Sequence, residues 1–150
     1  MVEDQIQLSL ISLFVALSAV VSAARLSRQP LRGRYLLRAA IGSLGVAVGV
    51  FVTTFVVSGF GWGWPDLSRS RELLLLVIGG LCIGLFQATF GWILSGRMPA
   101  LFISSLVLAN IAVLLIPSDY GIWRWTAFAL ANFLLLTAWL AKAGPTEAAR

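Results

Sequence analysis

The sequence predicts an all-α integral membrane protein, a bundle of about five transmembrane helices with its N-terminus outside and its C-terminus in the cytoplasm. Three observations carry this expectation. Of 150 residues, 59% are hydrophobic and only 11% charged, against about 25% charged in an ordinary globular chain, and the mean hydropathy is +0.94. The apolar residues fall into five runs separated by short clusters of Gly, Pro and charged residues, and the basic residues are shared unevenly among those clusters. Crossing ~30 Å of hydrocarbon takes ~20 residues of helix. Five crossings use most of the chain and leave no room for a soluble domain, so residues 1–150 are read as one polytopic domain.

The first run covers residues 6–24. Glu3 and Asp4 precede it and Arg25, Arg28, Arg32, Arg34 and Arg38 follow it. That order is the reverse of a secretory signal peptide, so a retained helix is expected. The second run, 39–60, ends at Gly61, Trp62, Gly63, Trp64, Pro65 and Asp66, where Gly and Pro predict a break. The third, 72–94, has Asp66 or Ser68 as a candidate cap, because a short oxygen side chain accepts bonds from the free amides of a first turn. Ser95, Gly96, Arg97, Met98 and Pro99 lead to the fourth run, 100–116, which is near the minimum spanning length. Pro117 to Gly121 connect it to the fifth, 122–141, ended by Lys142, Ala143, Gly144 and Pro145.

Basic loops resist translocation, which orients the bundle. Placing the first connection in the cytoplasm collects Arg25, Arg28, Arg32, Arg34, Arg38, Arg97, Lys142 and Arg150 there and leaves Arg69, Arg71 and Arg124 outside. Glu3, Asp4, Asp66, Glu72 and Asp119 then share the outer side. Trp62, Trp64, Trp123 and Trp125 are expected as outer interface aromatics, since amphipathic rings settle at headgroup level. Trp62 and Trp64 with Trp123, Arg124 and Trp125 would form an aromatic and cationic rim if the second and fifth helices are neighbours. Arg supplies ten of the eleven basic residues, a composition that points to a GC-rich bacterial genome and a bacterial inner membrane.

Small residues recur at steps of three and four: Gly42, Gly45 and Gly49 in the second helix and Gly80, Gly84 and Gly91 in the third, with Gln87 on the same stripe. This spacing lets a second backbone approach closely. The expected use is packing within the chain, with a seam to a partner subunit as the second reading. Ser12, Ala16, Ala19 and Ala23 repeat the pattern in the first helix, and Ala127, Ala131 and Ala138 in the fifth. Gln87, Asn110 and Asn132 are the intramembrane amides. An amide in hydrocarbon seeks partners, so interhelical bonding is expected and a polar pore lining is the alternative. The five arginines from Arg25 to Arg38 anchor the topology, and are the candidate contact for anionic lipid or a partner.

The sequence contains no histidine and a single cysteine, Cys82. No Asp or Glu falls inside a predicted span, whereas proton- and cation-coupled transporters typically keep such a group. No acid and base pair, activated nucleophile or metal cluster can be assembled. An enzyme is therefore not expected, and no cofactor class is assigned. The expected function is a non-catalytic accessory, scaffolding or assembly subunit of a larger membrane protein complex; the alternative is a homo-oligomeric channel or carrier for a small solute. The expected partners are membrane lipids and other membrane protein subunits, not nucleic acid.

Overall fold

A computed structural model of the chain describes residues 2–62 and 69–144, and among them every regular element is helical. The order is α1 (Val2–Leu26), α2 (Gly33–Trp62), α3 (Arg69–Ser95), α4 (Ala100–Leu114), a 3-10 turn (Ser118–Tyr120) and α5 (Gly121–Ala143). Helices α1, α2, α3 and α5 are each long and apolar enough to cross a membrane.

The helices outrun the apolar runs, because a helix that has crossed the hydrocarbon continues until a breaker stops it. Helix α2 starts at Gly33, not residue 39, and continues through Gly59 and Gly61 to Trp62. Two glycines weaken a helix without ending it. Helix α3 starts at Arg69, so the expected capping residues Asp66 and Ser68 lie outside the described residues, as does Trp64. Helix α4 is the exception. It ends at Leu114 after 15 residues, two short of expectation, and rises about 22 Å against ~30 Å of hydrocarbon.

Helix α1 ends in a six-residue closure: Gln29 N–H donates to Ala24 O at 3.0 Å and Arg28 N–H to Arg25 O at 3.3 Å. These are the two bonds of a Schellman motif. Arg28 takes the left-handed position with φ 52°, where glycine is the usual occupant.

The helices form a closed ring in chain order, with α5 returning against α1, and α3 also touches α5. Successive helices are antiparallel. On α3 and α4, Gly84 meets Val107 and Gly80 meets Ile111; on α2 and α3, Gly42 meets Phe90 and Gly49 meets Phe86. Helices α3 and α5 run parallel, since Ser95 and Trp139 pair at one end while Leu76 and Trp125 share a cavity at the other. One end of the bundle therefore carries Arg25, Arg28, Arg32, Arg34, Arg38, Arg97 and Lys142, and the other carries Glu3, Glu72 and Asp119 together with Arg71 and Arg124. We call them the basic and acidic ends.

Two kinds of small-residue contact join the ring. Between α3 and α4 the backbones themselves meet: a Cβ on Gly84 would lie 2.6 Å from Val107 Cα, and one on Gly80 would lie 2.7 Å from Ile111 Cα. Between α2 and α3, the rings of Phe90 and Phe86 rest on Gly42 and Gly49. Gly91 faces the Met98 methyl at the α3–α4 corner. Gly45 departs from the expected seam. It is exposed, and nothing lies within 4 Å of where its Cβ would be. Residues 42 and 49 are two turns apart and superpose, whereas residue 45 is rotated toward the outer stripe of Leu37, Ile41, Leu44, Val48, Val52 and Phe55, all exposed.

Helix α1 buries Ser12, Ala16, Ala19 and Ala23 as expected from their spacing. Helix α5 half-buries Ala127 and Ala131, with Ala127 packed against the core. Ala138 is exposed, while Phe128, Asn132, Leu136, Thr137, Trp139 and Leu140 face inward. The buried hydroxyls of Ser12 and Ser43 bond back along their own helices, to Leu8 O at 2.8 Å and to Ala39 O at 2.6 Å, which satisfies them without water, whereas buried Thr137 Oγ1 has no partner.

Candidate functional site

Two groups of inward polar side chains stand out, one at mid-depth and one at the acidic end. At mid-depth, Gln87 of α3, Asn110 of α4 and Asn132 of α5 are 1%, 0% and 0% exposed. Helix α3 delivers Gln87 because Gly84 and Gly80, one and two turns earlier on the same stripe, bring α4 into backbone contact. The two asparagines face each other as a reciprocal amide pair: Asn110 Nδ2 donates to Asn132 Oδ1 at 3.0 Å, and Asn132 Nδ2 donates to Asn110 Oδ1 at 3.2 Å. Each also donates one turn back, Asn110 to Leu106 O at 2.7 Å and Asn132 to Phe128 O at 2.9 Å. Gln87 Oε1 takes a further bond from Asn110 Nδ2 at 3.0 Å. Asn110 Nδ2 has two protons and three acceptors, so one proton is shared and Asn110 is the hub of the cluster.

The second group lines a cavity of about 240 Å³. Every helix contributes: Gln5 and Leu8 from α1, Thr53, Thr54 and Val57 from α2, Leu76, Gly79 and Ile83 from α3, Leu114 from α4, and Arg124 and Trp125 from α5. Arg124 stands in the first turn of α5, a position where the helix dipole disfavours a cation. It reaches across to α4 instead, where Nη2 donates to Leu114 O at 2.7 Å. That carbonyl belongs to the last turn of α4, which has no intrahelical donor left for it. The guanidinium carbon also lies 5.6 Å from the Trp125 ring centroid, within cation–π range.

Two polar atoms of this cavity have no hydrogen-bond partner although both are buried: Arg124 Nε and Gln5 Oε1. Gln5 as a whole is only 7% exposed. Thr54 is satisfied by its own helix, donating to Val50 O at 2.8 Å. Ile83 lines the cavity one turn before Gln87, and Phe128 lies one turn from both Arg124 and Asn132. Both are fully buried, so apolar side chains stand between the cavity and the amide cluster.

The remaining candidates are dispersed. Arg25, Arg28, Arg32, Arg34 and Arg38 are all exposed around the α1–α2 connection. Trp123 is 72% exposed on the outside of α5, while Trp125 is half-buried against the cavity, so these neighbours divide between the outer surface and the interior. The side chain of Trp62 lies outside the described residues. At the basic end Trp139 Nε1 donates to Ser95 Oγ at 3.0 Å. Arg97, Met98, Pro99, Trp139 and Lys142 line an open groove there.

Sequence reasoning did not single out Gln5 as a site residue. It stands between an acidic pair and an apolar run and reads as part of a polar flank. Its helical register, three residues before buried Leu8 and seven before buried Ser12, is the signal that assigns it to the inner face. Among the described residues no three His, Cys, Asp or Glu side chains are grouped to hold a metal ion. No protein-family model, curated protein or solved structure matches the chain.

Proposed function

We propose that this chain is a non-catalytic accessory subunit of a larger membrane protein complex, serving in scaffolding or assembly. The observation that carries this reading is the closure of the Gln87–Asn110–Asn132 cluster. Asn110 and Asn132 bond to each other and to their own backbones, and Gln87 accepts from Asn110, so these amides are turned on one another and not toward a solute. The continuous exposed apolar stripe of α2 suits lipid or another membrane subunit. The alternative, a homo-oligomeric channel or carrier, needs a passage between copies of the chain.

The setting we propose is a bacterial inner membrane, with five spans, the N-terminus outside and the C-terminus in the cytoplasm. The concentration of arginine at one end favours that end as cytoplasmic. Helix α4 is short, but apolar Met98, Leu115 and Ile116 flank it, and a bilayer accommodates a few ångströms of mismatch at modest cost. Single cysteines test the topology. On a Cys82→Ala background, Asp119→Cys should react with an impermeant maleimide in intact cells and Arg34→Cys only after permeabilisation; the reverse pattern overturns the orientation.

Native mass spectrometry of the protein extracted gently from its own membrane tests the function. The expected result is co-purification with larger membrane subunits in fixed stoichiometry. A clean homo-oligomer that alone supports specific solute flux in proteoliposomes would overturn the accessory reading in favour of the alternative.

A further inference from the structure

We infer that the cavity at the acidic end is a binding site for an amphiphile whose polar end carries an anionic oxygen beside a hydroxyl donor. The guanidinium of Arg124 presents a buried N–H with no acceptor, and Gln5 presents a buried carbonyl oxygen with no donor. The surrounding side chains bury both atoms, and a buried polar group left without a partner is costly. No ion pair joins Arg124 to a carboxylate among the described residues, so its charge is uncompensated as well as its hydrogen bond. A neutral guest satisfies the donor and leaves the charge; an anionic oxygen satisfies both. Gln5 Oε1 accepts, so a polar end that also offers an O–H satisfies both groups.

The walls define the rest of the guest. Leu8, Leu76, Ile83 and Trp125 are apolar, matching a hydrocarbon body below a polar end. A volume of about 240 Å³ is a little below the ~300–1,000 Å³ of drug-sized ligand pockets, room for a polar end and several carbons. The arrangement follows the usual plan of a ligand site, a mostly apolar enclosure with few convergent polar groups. Such a polar end is found on a glycerophosphate, either as a lipid headgroup or as a free anion. The inference is independent of the accessory role, because the site is complete within one chain.

The experiment uses the full chain in neutral detergent, with lysophosphatidylglycerol, a monoacylglycerol of the same chain length and glycerol 3-phosphate as the compounds added, read by native mass spectrometry and by thermal shift. The wild type should hold one equivalent of lysophosphatidylglycerol at least about tenfold more tightly than the monoacylglycerol, which keeps hydroxyls but has no anionic oxygen, the scale of one charge-assisted hydrogen bond. Arg124→Gln and Gln5→Glu should both lose that equivalent. The second variant keeps the guanidinium and adds a repelling carboxylate, so its loss of binding is read in a chain whose thermal transition is retained. Arg34→Gln and Arg38→Gln, at the basic end where anionic lipid also gathers, should keep it. Glycerol 3-phosphate binding with the same variant dependence assigns a free anion, and binding of the lysolipid alone assigns a headgroup. Equal binding by the wild type, Arg124→Gln and Gln5→Glu, or loss only on changing Arg34 and Arg38, overturns the inference.

Discussion

Gln87, Asn110 and Asn132 at mid-depth and Gln5, Thr53 and Arg124 at the acidic end are polar residues turned inward in a bundle whose outer surface is apolar. The first set is closed, each amide bonded to a neighbour. The second set surrounds empty volume and leaves a donor and an acceptor unused. The difference separates two uses of polarity in lipid. Where helices approach at backbone distance, amides meet and act as internal fasteners. Where five helices diverge around a cavity, the same kind of group is held ready for a guest.

Stability measurements divide the two regions, and the largest effect is expected where the backbones touch. Gly84→Val places a side chain 2.6 Å from Val107 Cα and must separate α3 from α4; overpacking of this kind costs about 3 kcal/mol in reversible unfolding in bicelles. Gly45→Ala is its control. With nothing within 4 Å of its Cβ, it should be neutral or mildly stabilising. If the two glycines respond alike, the close approach that assembles the cluster is not what holds α3 to α4.

Removing the hub comes next. Asn110→Leu strips partners from both Gln87 and Asn132, and should cost about 1 to 3 kcal/mol for the groups left unpaired. Gln87→Met removes only the shared bond and should cost less. The cavity side should be milder still: Arg124→Met loses the bond to Leu114 O but relieves an uncompensated charge. We expect under about 1 kcal/mol, with the ligand lost. A larger loss for Arg124→Met than for Asn110→Leu would reverse the assignment of fastener and binding site. The smallest change is expected outside both regions. Arg28→Gly, at φ 52°, relieves a left-handed strain of about 1 kcal/mol, offset by glycine's greater freedom when unfolded.

The helices were readable because apolar runs and breakers act locally. Rotation about each helix axis was harder. In water an apolar stripe marks the inner face, but lipid accepts Leu on either side, so the guide is residue size, and size is ambiguous. It worked for Ala16, Ala19 and Ala23, which are buried, and failed for Gly45 and Ala138, which are exposed. The three amides and their bonding between helices could be expected from their depth, while which amide meets which could not, since it depends on the α3–α4 approach and on α5 turning Phe128 and Asn132 fully inward. Gln5 escaped attention because one polar residue beside Glu3 and Asp4 looks like a solvated flank. The cavity belongs to five helices at once and has no trace in any single segment.

A double-mutant cycle between Asn110 and Asn132, with solute leakage recorded on the same proteoliposomes, tests the central claim most directly. Leucine at each position alone and at both together should reveal a coupling of about 0.6 to 1.7 kcal/mol, the range for hydrogen bonds between membrane helices, with leakage unchanged throughout. Additive stability changes accompanied by altered leakage would contradict the account, and would make these amides the lining of a passage.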